Sequence, residues 1–71
     1  MSRRHENAVR FIDRQLNEYA EAKNPYLKVA HHSAAAQLIE LAYKQDDISD
    51  AEHFDYYRRL SLIAEQAKGA A

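Results

Sequence analysis

The 71-residue sequence has no cysteine, one glycine, one proline and no apolar run longer than three residues. Without cysteine, disulfides and thiolate zinc sites are excluded, which is compatible with a reducing compartment. The short apolar runs exclude a membrane-spanning helix. The basic start, Met1 to Arg4, is followed by no apolar segment, so we expect no secretory signal. By elimination we expect a cytoplasmic protein.

The scarcity of glycine and proline, together with thirteen alanines, favours helix nearly throughout. A chain of this length forms one domain at most, so we expect a single helical domain over residues 1–71. A single core of this size supplies only about 3–5 kcal/mol, and a partner chain is a common source of further stability. We therefore expect self-association, most simply as a two-fold homodimer.

Apolar spacing predicts an all-α fold, a three-helix antiparallel bundle with helices at about 3–23, 25–45 and 50–68. Ser2 is the expected N-cap of the first helix. Asn24-Pro25 predicts the first corner, because the residue before proline leaves the α region and proline suits the first helical position. Ser49-Asp50-Ala51-Glu52 has the form of a capping box. Gly69 is a suitable stop for the third helix.

The second helix is apolar almost all round, which is typical of a helix covered on more than one side. We expect the first helix to cover one of its faces and the third helix the other, which makes it the central helix. One apolar face carries Leu27, Ala30, Ala34, Leu38 and Leu41. The other carries Val29, Ala36, Ile39 and Tyr43.

Several large apolar side chains lie away from the predicted core stripes and suggest a surface for another protein. These are Phe11, Phe54 and Leu62. Arginine and tyrosine are enriched among the residues that dominate binding energy at protein interfaces. The run Tyr56-Tyr57-Arg58-Arg59 contains both types, and Arg58 and Arg59 complete the candidate partner-binding set. The leading interpretation is a small regulator or adaptor that binds another protein.

A second interpretation is a nucleic-acid-binding regulator that uses the polar face of the first helix. Guanidinium groups spaced along a helix can follow phosphates. The candidate residues are Arg3, Arg4, Arg10 and Arg14. The net charge of −1 removes the long-range attraction that strongly basic nucleic-acid-binding domains have. A purely structural dimer inside a larger assembly is the third interpretation.

Patterns for metal binding, cofactor binding or catalysis are not found. No two of the four histidines have the i, i+4 spacing of a helical metal site. The acids between Asp46 and Asp55 lack the glycine and the alternation of a calcium loop. The serines lie in no catalytic motif. We expect neither an enzyme nor a cofactor, and the sequence leaves the roles of His31, His32 and His53 open.

The segment from Leu38 to Leu60, with its Ile48-Ser49-Asp50-Ala51-Glu52 helix start, resembles the short helical hairpins appended to many bacterial proteins. The resemblance consists of capping chemistry and heptad-like spacing, and it implies no function. Small size without an enzymatic motif is shared by phage- or plasmid-borne modulators and by host accessory proteins. The sequence leaves that choice open.

Overall fold

The computed structural model describes the backbone of residues 3–69 and the side chains of residues 3–66. Three helices account for most of it: α1 (Arg3–Glu21), α2 (Pro25–Lys44) and α3 (Asp50–Gly69), with no strand in the described backbone. The all-α, three-helix prediction is confirmed. Among residues 3–69, none of the three helices carries an apolar stretch that could span a bilayer. The predicted N-cap, Ser2, lies outside the described residues.

The first corner forms as the Asn24-Pro25 dipeptide predicts. Asn24 is extended (φ −94°, ψ 131°), and its side-chain oxygen accepts a hydrogen bond of 2.8 Å from the Tyr26 amide. Pro25 occupies the first turn, where its missing amide proton costs nothing. Helix α1 ends at Glu21, two residues earlier than predicted. The Ala22 amide donates to the Tyr19 carbonyl at 3.3 Å, an i−3 bond that tightens the last turn.

The second corner joins a helix stop to a helix start. Asp46 has a positive φ of 59°, and the Asp46 and Asp47 amides donate to the carbonyls of Tyr43 and Ala42. This is the Schellman pattern, with aspartate where glycine is common. The predicted capping box follows. The Ser49 amide donates to Glu52 at 2.8 Å, and the Glu52 amide donates to the Ser49 hydroxyl oxygen at 3.1 Å. Gly69 was predicted to lie just beyond the third helix, but it is the last helical residue.

The core contains residues from all three helices and from the second corner. Ile39 on α2 and Ile12 on α1 are the largest fully buried side chains. Ala35 and Ala42 lie one turn to either side of Ile39 and are also buried. Helix α2 packs on both α1 and α3, while α1 and α3 make the smallest contact. The other buried residues are Leu16, Tyr19, Ile48, Tyr56 and Leu60.

The prediction that both apolar faces of α2 are covered is only partly right. Ile39 belongs to the second predicted face and is fully buried, and the other buried residues of α2, Ala35 and Ala42, lie between the two faces. On the first face, Leu27 and Leu41 remain 51% and 52% exposed, and on the second face Val29 is 68% exposed. The reason is that α1 contacts α2 on the side of Leu38 and Ala42 while α3 contacts it on the side of Glu40 and Tyr43, and the surface beyond them stays open. The described residues contain no fourth helix that could cover it.

Truncation of Ile39 is expected to cost far more stability than truncation of its neighbour Leu38. Ile39→Ala should lower the free energy of unfolding by about 2–5 kcal/mol because it leaves a cavity in the core. Leu38 is only partly buried, so Leu38→Ala should cost less. Val29→Ala, at an exposed site of the same helix, is the control and should change stability by less than about 0.5 kcal/mol. Chemical denaturation checks the order, and equal losses for Ile39 and Leu38 would contradict this packing.

Candidate functional site

Two of the predicted partner-binding residues, Arg59 and Leu62, lie together in a groove between α1 and α3. The groove has a volume of about 380 Å³. Leu62 is exposed at its edge, and Leu16 and Ile63 contribute apolar surface. Asp13, Asn17, Ala20 and Gln66 complete the lining. The groove therefore combines an apolar wall with charged and amide groups.

The Arg59 guanidinium makes three contacts although its side chain is 53% exposed. Its Nε lies 3.0 Å from Asp55, its Nη1 lies 3.7 Å from Asp13, and its Cζ lies 5.3 Å from the centre of the Tyr56 ring. Burial, followed by the negative charge of Asp13, raises the pKa of Tyr56 to about 12. Tyr56 therefore stays a neutral ring under Arg59 at any physiological pH.

Phe54 and Arg58 lie on the solvent side of α3. Phe54 is 72% exposed, and Arg58, one turn later, pairs with Asp55 at 2.9 Å. Asp55 thus holds both arginines of the run. We call the set Phe54, Arg58, Arg59 and Leu62 the α3 face.

Phe11 is not brought close to the α3 face. It lines a different groove of about 220 Å³ between α1 and α2, whose apolar walls include Leu38 and Leu41. Arg4 and Asp47 lie at the end of this groove and form an ion pair of 3.1 Å. The predicted partner-binding residues therefore occupy two separate places on the molecule.

The predicted nucleic-acid-binding arginines share their helix with carboxylates. Arg4 is paired with Asp47, and Arg14 lies 3.4 Å from Glu18. Arg10 is exposed and forms no ion pair with any residue among 3–66, and Arg3 is also exposed. A shallow depression of about 630 Å³ along α1 contains Arg10 and Arg14. The same depression contains Glu6, Asp13 and Glu18. The surface is of mixed sign rather than a basic stripe.

Sequence reasoning missed a set of histidine–carboxylate pairs, one at each helix–helix boundary. His5 Nε2 lies 2.7 Å from Glu52 between α1 and α3. His53 Nε2 lies 3.1 Å from Glu40 between α3 and α2. His31 Nδ1 lies 3.2 Å from Gln15 and 3.6 Å from Glu18, between α2 and α1. Since each pair joins a different boundary, the histidines do not converge, and no group in the described residues could hold a metal ion.

The pair at Glu40 belongs to a larger cluster of aromatic side chains. The Tyr57 hydroxyl donates to the same Glu40 oxygen at 2.7 Å, and the His53 ring stacks on Tyr43 with centroids 4.0 Å apart. The Tyr57 bond, followed by the His53 bond, lowers the pKa of Glu40. Burial, followed by Glu40, raises the pKa of Tyr57 to about 12. Glu40/Tyr43 and His53/Tyr57 are i, i+3 and i, i+4 pairs on either side of one corner, a spacing that could have indicated the cluster.

Acid should destabilise the protein through Glu52 and Glu40. Hydrogen bonds from Ser49 and then His5 lower the pKa of Glu52. The bonds from Tyr57 and His53 lower the pKa of Glu40. A carboxyl whose folded-state pKa lies below its unfolded value of 4.5 binds its proton first in the unfolded chain. Its contribution is present above pH 4.5 and is lost as the pH falls through the folded value. Unfolding free energies measured from pH 6 to pH 3 should therefore decrease.

Glu52→Gln and Glu40→Gln should each reduce that decrease, because the substituted amide does not titrate. Glu65→Gln is the control, since Glu65 is exposed and forms no ion pair with any described residue. An acid dependence that is identical in all four proteins would show that the two carboxylates are not stabilised by folding.

No protein-family model, no curated protein and no solved structure matches this chain. The functional conclusion is therefore argued from the α3 face, the grooves and the charges described above.

Proposed function

We propose that this chain is a small non-enzymatic regulator or adaptor that acts by binding another protein through the α3 face. The observation that carries the proposal is the exposure of Phe54 beside two arginines held by Asp55. Large aromatic and arginine side chains dominate binding energy at protein interfaces. Single exposed apolar side chains are common, but Phe54 lies beside two arginines, and aromatic and arginine side chains together are enriched where binding energy is concentrated.

The contacts that hold the Arg59 side chain within the chain support the same role. Binding normally costs about 0.5–1.5 kcal/mol for each long side chain that becomes immobilised. Arg59 is already held by Asp55, Asp13 and the Tyr56 ring, so less of that cost remains when a partner arrives. Arg58 and Arg59 are balanced by Asp55 and Asp13 within the chain, but each guanidinium keeps N–H donors that these carboxylates do not use. A partner that offers an apolar side chain next to a hydrogen-bond acceptor fits this chemistry.

We also propose that the helices form an antiparallel bundle that a second copy completes. Between α1 and α2, Arg4 pairs with Asp47 near one end and Gln15 meets His31 towards the other. As the position of the contact advances along α1, the position of its partner goes back along the chain towards the start of α2, which supports an antiparallel pair. Between α2 and α3, Tyr43 donates to Asp50 and Glu40 meets His53 and Tyr57, again in opposite order.

The alternative proposal is a nucleic-acid-binding regulator that uses Arg3, Arg4, Arg10 and Arg14. The observation that favours it is the exposed Arg10, which has no carboxylate partner among the described residues. Glu6, Asp13 and Glu18 lie in the same depression and would repel phosphates. The α3 face is therefore the stronger proposal.

The adaptor proposal predicts that a captured partner depends on Phe54. Wild-type protein, Phe54→Ala and Tyr26→Ala are immobilised and exposed to native lysate that has been treated with nuclease. Tyr26 is the matched control because it is a highly exposed aromatic residue outside the α3 face. Any band retained by wild type should be lost with Phe54→Ala and kept with Tyr26→Ala. Retention of the same bands by all three proteins would contradict the assignment of the α3 face.

The alternative predicts that charge reversal on α1 abolishes binding to RNA or DNA. Arg10→Glu with Arg14→Glu is compared with wild type by fluorescence anisotropy on labelled oligonucleotides at low salt. Arg58→Glu is the control, since it reverses a similarly exposed arginine on α3. A loss of affinity confined to the α1 double variant would support the alternative. Unchanged binding, or no binding by wild type, would contradict it.

A further inference from the structure

We propose that the uncovered side of α2 binds the same surface of a second copy of this chain, with the two-fold axis at Ala34. The surface consists of Leu27, Ala30, Ala34, Leu38 and Leu41 of α2. Phe11 of α1 extends it alongside Leu38 and Leu41. We call these six residues the α2 surface.

The α2 surface is apolar and is uncovered within one chain. Leu27, Ala30, Leu41 and Phe11 are exposed, and Ala34 and Leu38 are partly buried. The groove of about 220 Å³ already separates Phe11 from Leu38 and Leu41. No aspartate, glutamate, lysine or arginine of α2 lies on this stripe, whose remaining positions are His31 and Gln37. Depletion of charge is typical of the core of a protein interface.

The pattern is self-complementary, which selects a second copy over an unrelated partner. A two-fold interface requires that residue i meets residue j and that residue j meets residue i. When two α2 helices cross in opposite directions at Ala34, residues equally far before and after it face each other. Leu27 of one copy then faces Leu41 of the other, seven residues to either side, and Ala30 faces Leu38, four residues to either side. The large side chain of Leu38 thus faces the small one of Ala30. The small side chain of Ala34 allows the two backbones to approach each other closely at the axis.

The polar positions follow the same symmetry. His31 and Gln37 lie three residues before and after Ala34, so these two positions also face each other across the axis. The His31 ring already contacts Gln15 and Glu18 of α1, which leaves the exposed Gln37 amide as the polar group at this position that can bond across the axis. The symmetric pairing thus leaves no acidic or basic side chain of the α2 stripe opposite an apolar one.

The molecule has a side long enough for a dimer interface. A standard interface removes about 800 Å² of accessible surface from each partner. The molecule extends over 41 × 18 × 16 Å, so a long side has a footprint of about that size. The chain exposes 5295 Å², more than the roughly 4,500 Å² expected of a folded monomer of 8.2 kDa, and pairing along a long side would lower this exposure.

This inference rests on the proposal that a second copy completes the bundle, and it is independent of the α3 face. The two surfaces share no residue, so one chain can bind its copy through α2 and a different protein through α3. Failure of one proposal therefore leaves the other in place, because the variants that test them differ.

Sedimentation velocity or light scattering should detect a dimer in the wild-type protein that dissociates on dilution. Leu41→Glu should raise the dimer dissociation constant at least a hundredfold, because it places a carboxylate opposite Leu27 of the other copy. Val29→Glu is the matched control: Val29 is an exposed apolar residue of the same helix, about 140° around it from Ala34. Its dissociation constant should stay within threefold of wild type. Circular dichroism confirms that both variants remain helical.

A charge pair tests which residues face each other. Leu27→Lys alone should also break the dimer. Because residues 27 and 41 of different copies are opposite, Leu27→Lys combined with Leu41→Glu should restore association at low salt. The restored dimer should weaken as salt is added, since its new pairs are partly exposed ion pairs. A double variant that stays monomeric would contradict the proposed pairing.

Cross-linking tests the axis without disturbing the surface. The natural chain has no cysteine. The side chain introduced by Ala34→Cys can therefore form a disulfide only with residue 34 of a second copy. Mild oxidation should convert most of this variant into a covalent dimer within minutes. Ser61→Cys, an exposed site on α3, is the control and should remain largely monomeric. A wild-type monomer at all concentrations would overturn the proposal. So would a dimer that forms normally with Leu41→Glu and does not cross-link at residue 34.

Discussion

The packing of one narrow buried line on α2 decides the rest of the structure. Ile39 is enclosed, and the small side chains of Ala35 and Ala42 lie one turn to either side of it. Small residues at these positions allow α1 and α3 to approach α2 closely on either flank of Ile39. Each outer helix therefore makes its larger contact with α2. Their own contact with each other is small because α2 supplies most of what they bury.

This arrangement explains where polar groups and open apolar surface are found. The helix boundaries next to the buried line are closed by histidine–carboxylate contacts, which need both partners at the edge of the core. Arg59 adds a further link from α3 to α1 through Asp13. The side of α2 away from these contacts keeps Leu27 and Leu41 in solvent. A chain this small gains from covering such a surface, since its own core supplies little stability.

Much of the fold could be predicted from the sequence because it depends on local chemistry. Asn24-Pro25 and the Ser49–Glu52 capping box act within four residues, and both formed as expected. The Asp46 stop was missed because the left-handed position holds aspartate where glycine gives the recognisable signal. For the candidate site, the exposure of Phe54 follows from helical spacing alone. The pairing of Glu40 with His53 and Tyr57 does not, because it depends on how α3 is rotated against α2.

The sequence by itself determined the number, the order and the capping of the helices, and it showed that α2 has more apolar surface than one neighbour can cover. Only the tertiary structure decided which side of α2 is buried and which is left to solvent. The physical reason is that Ala, Leu and Ile satisfy burial equally well on several sides of a helix. The choice among those sides depends on the combined shapes of all three helices, in particular on the fit of α1 and α3 around Ile39. The same fit leaves Leu27 and Leu41 exposed on a neighbouring side of the helix, with the partly buried Ala34 between them.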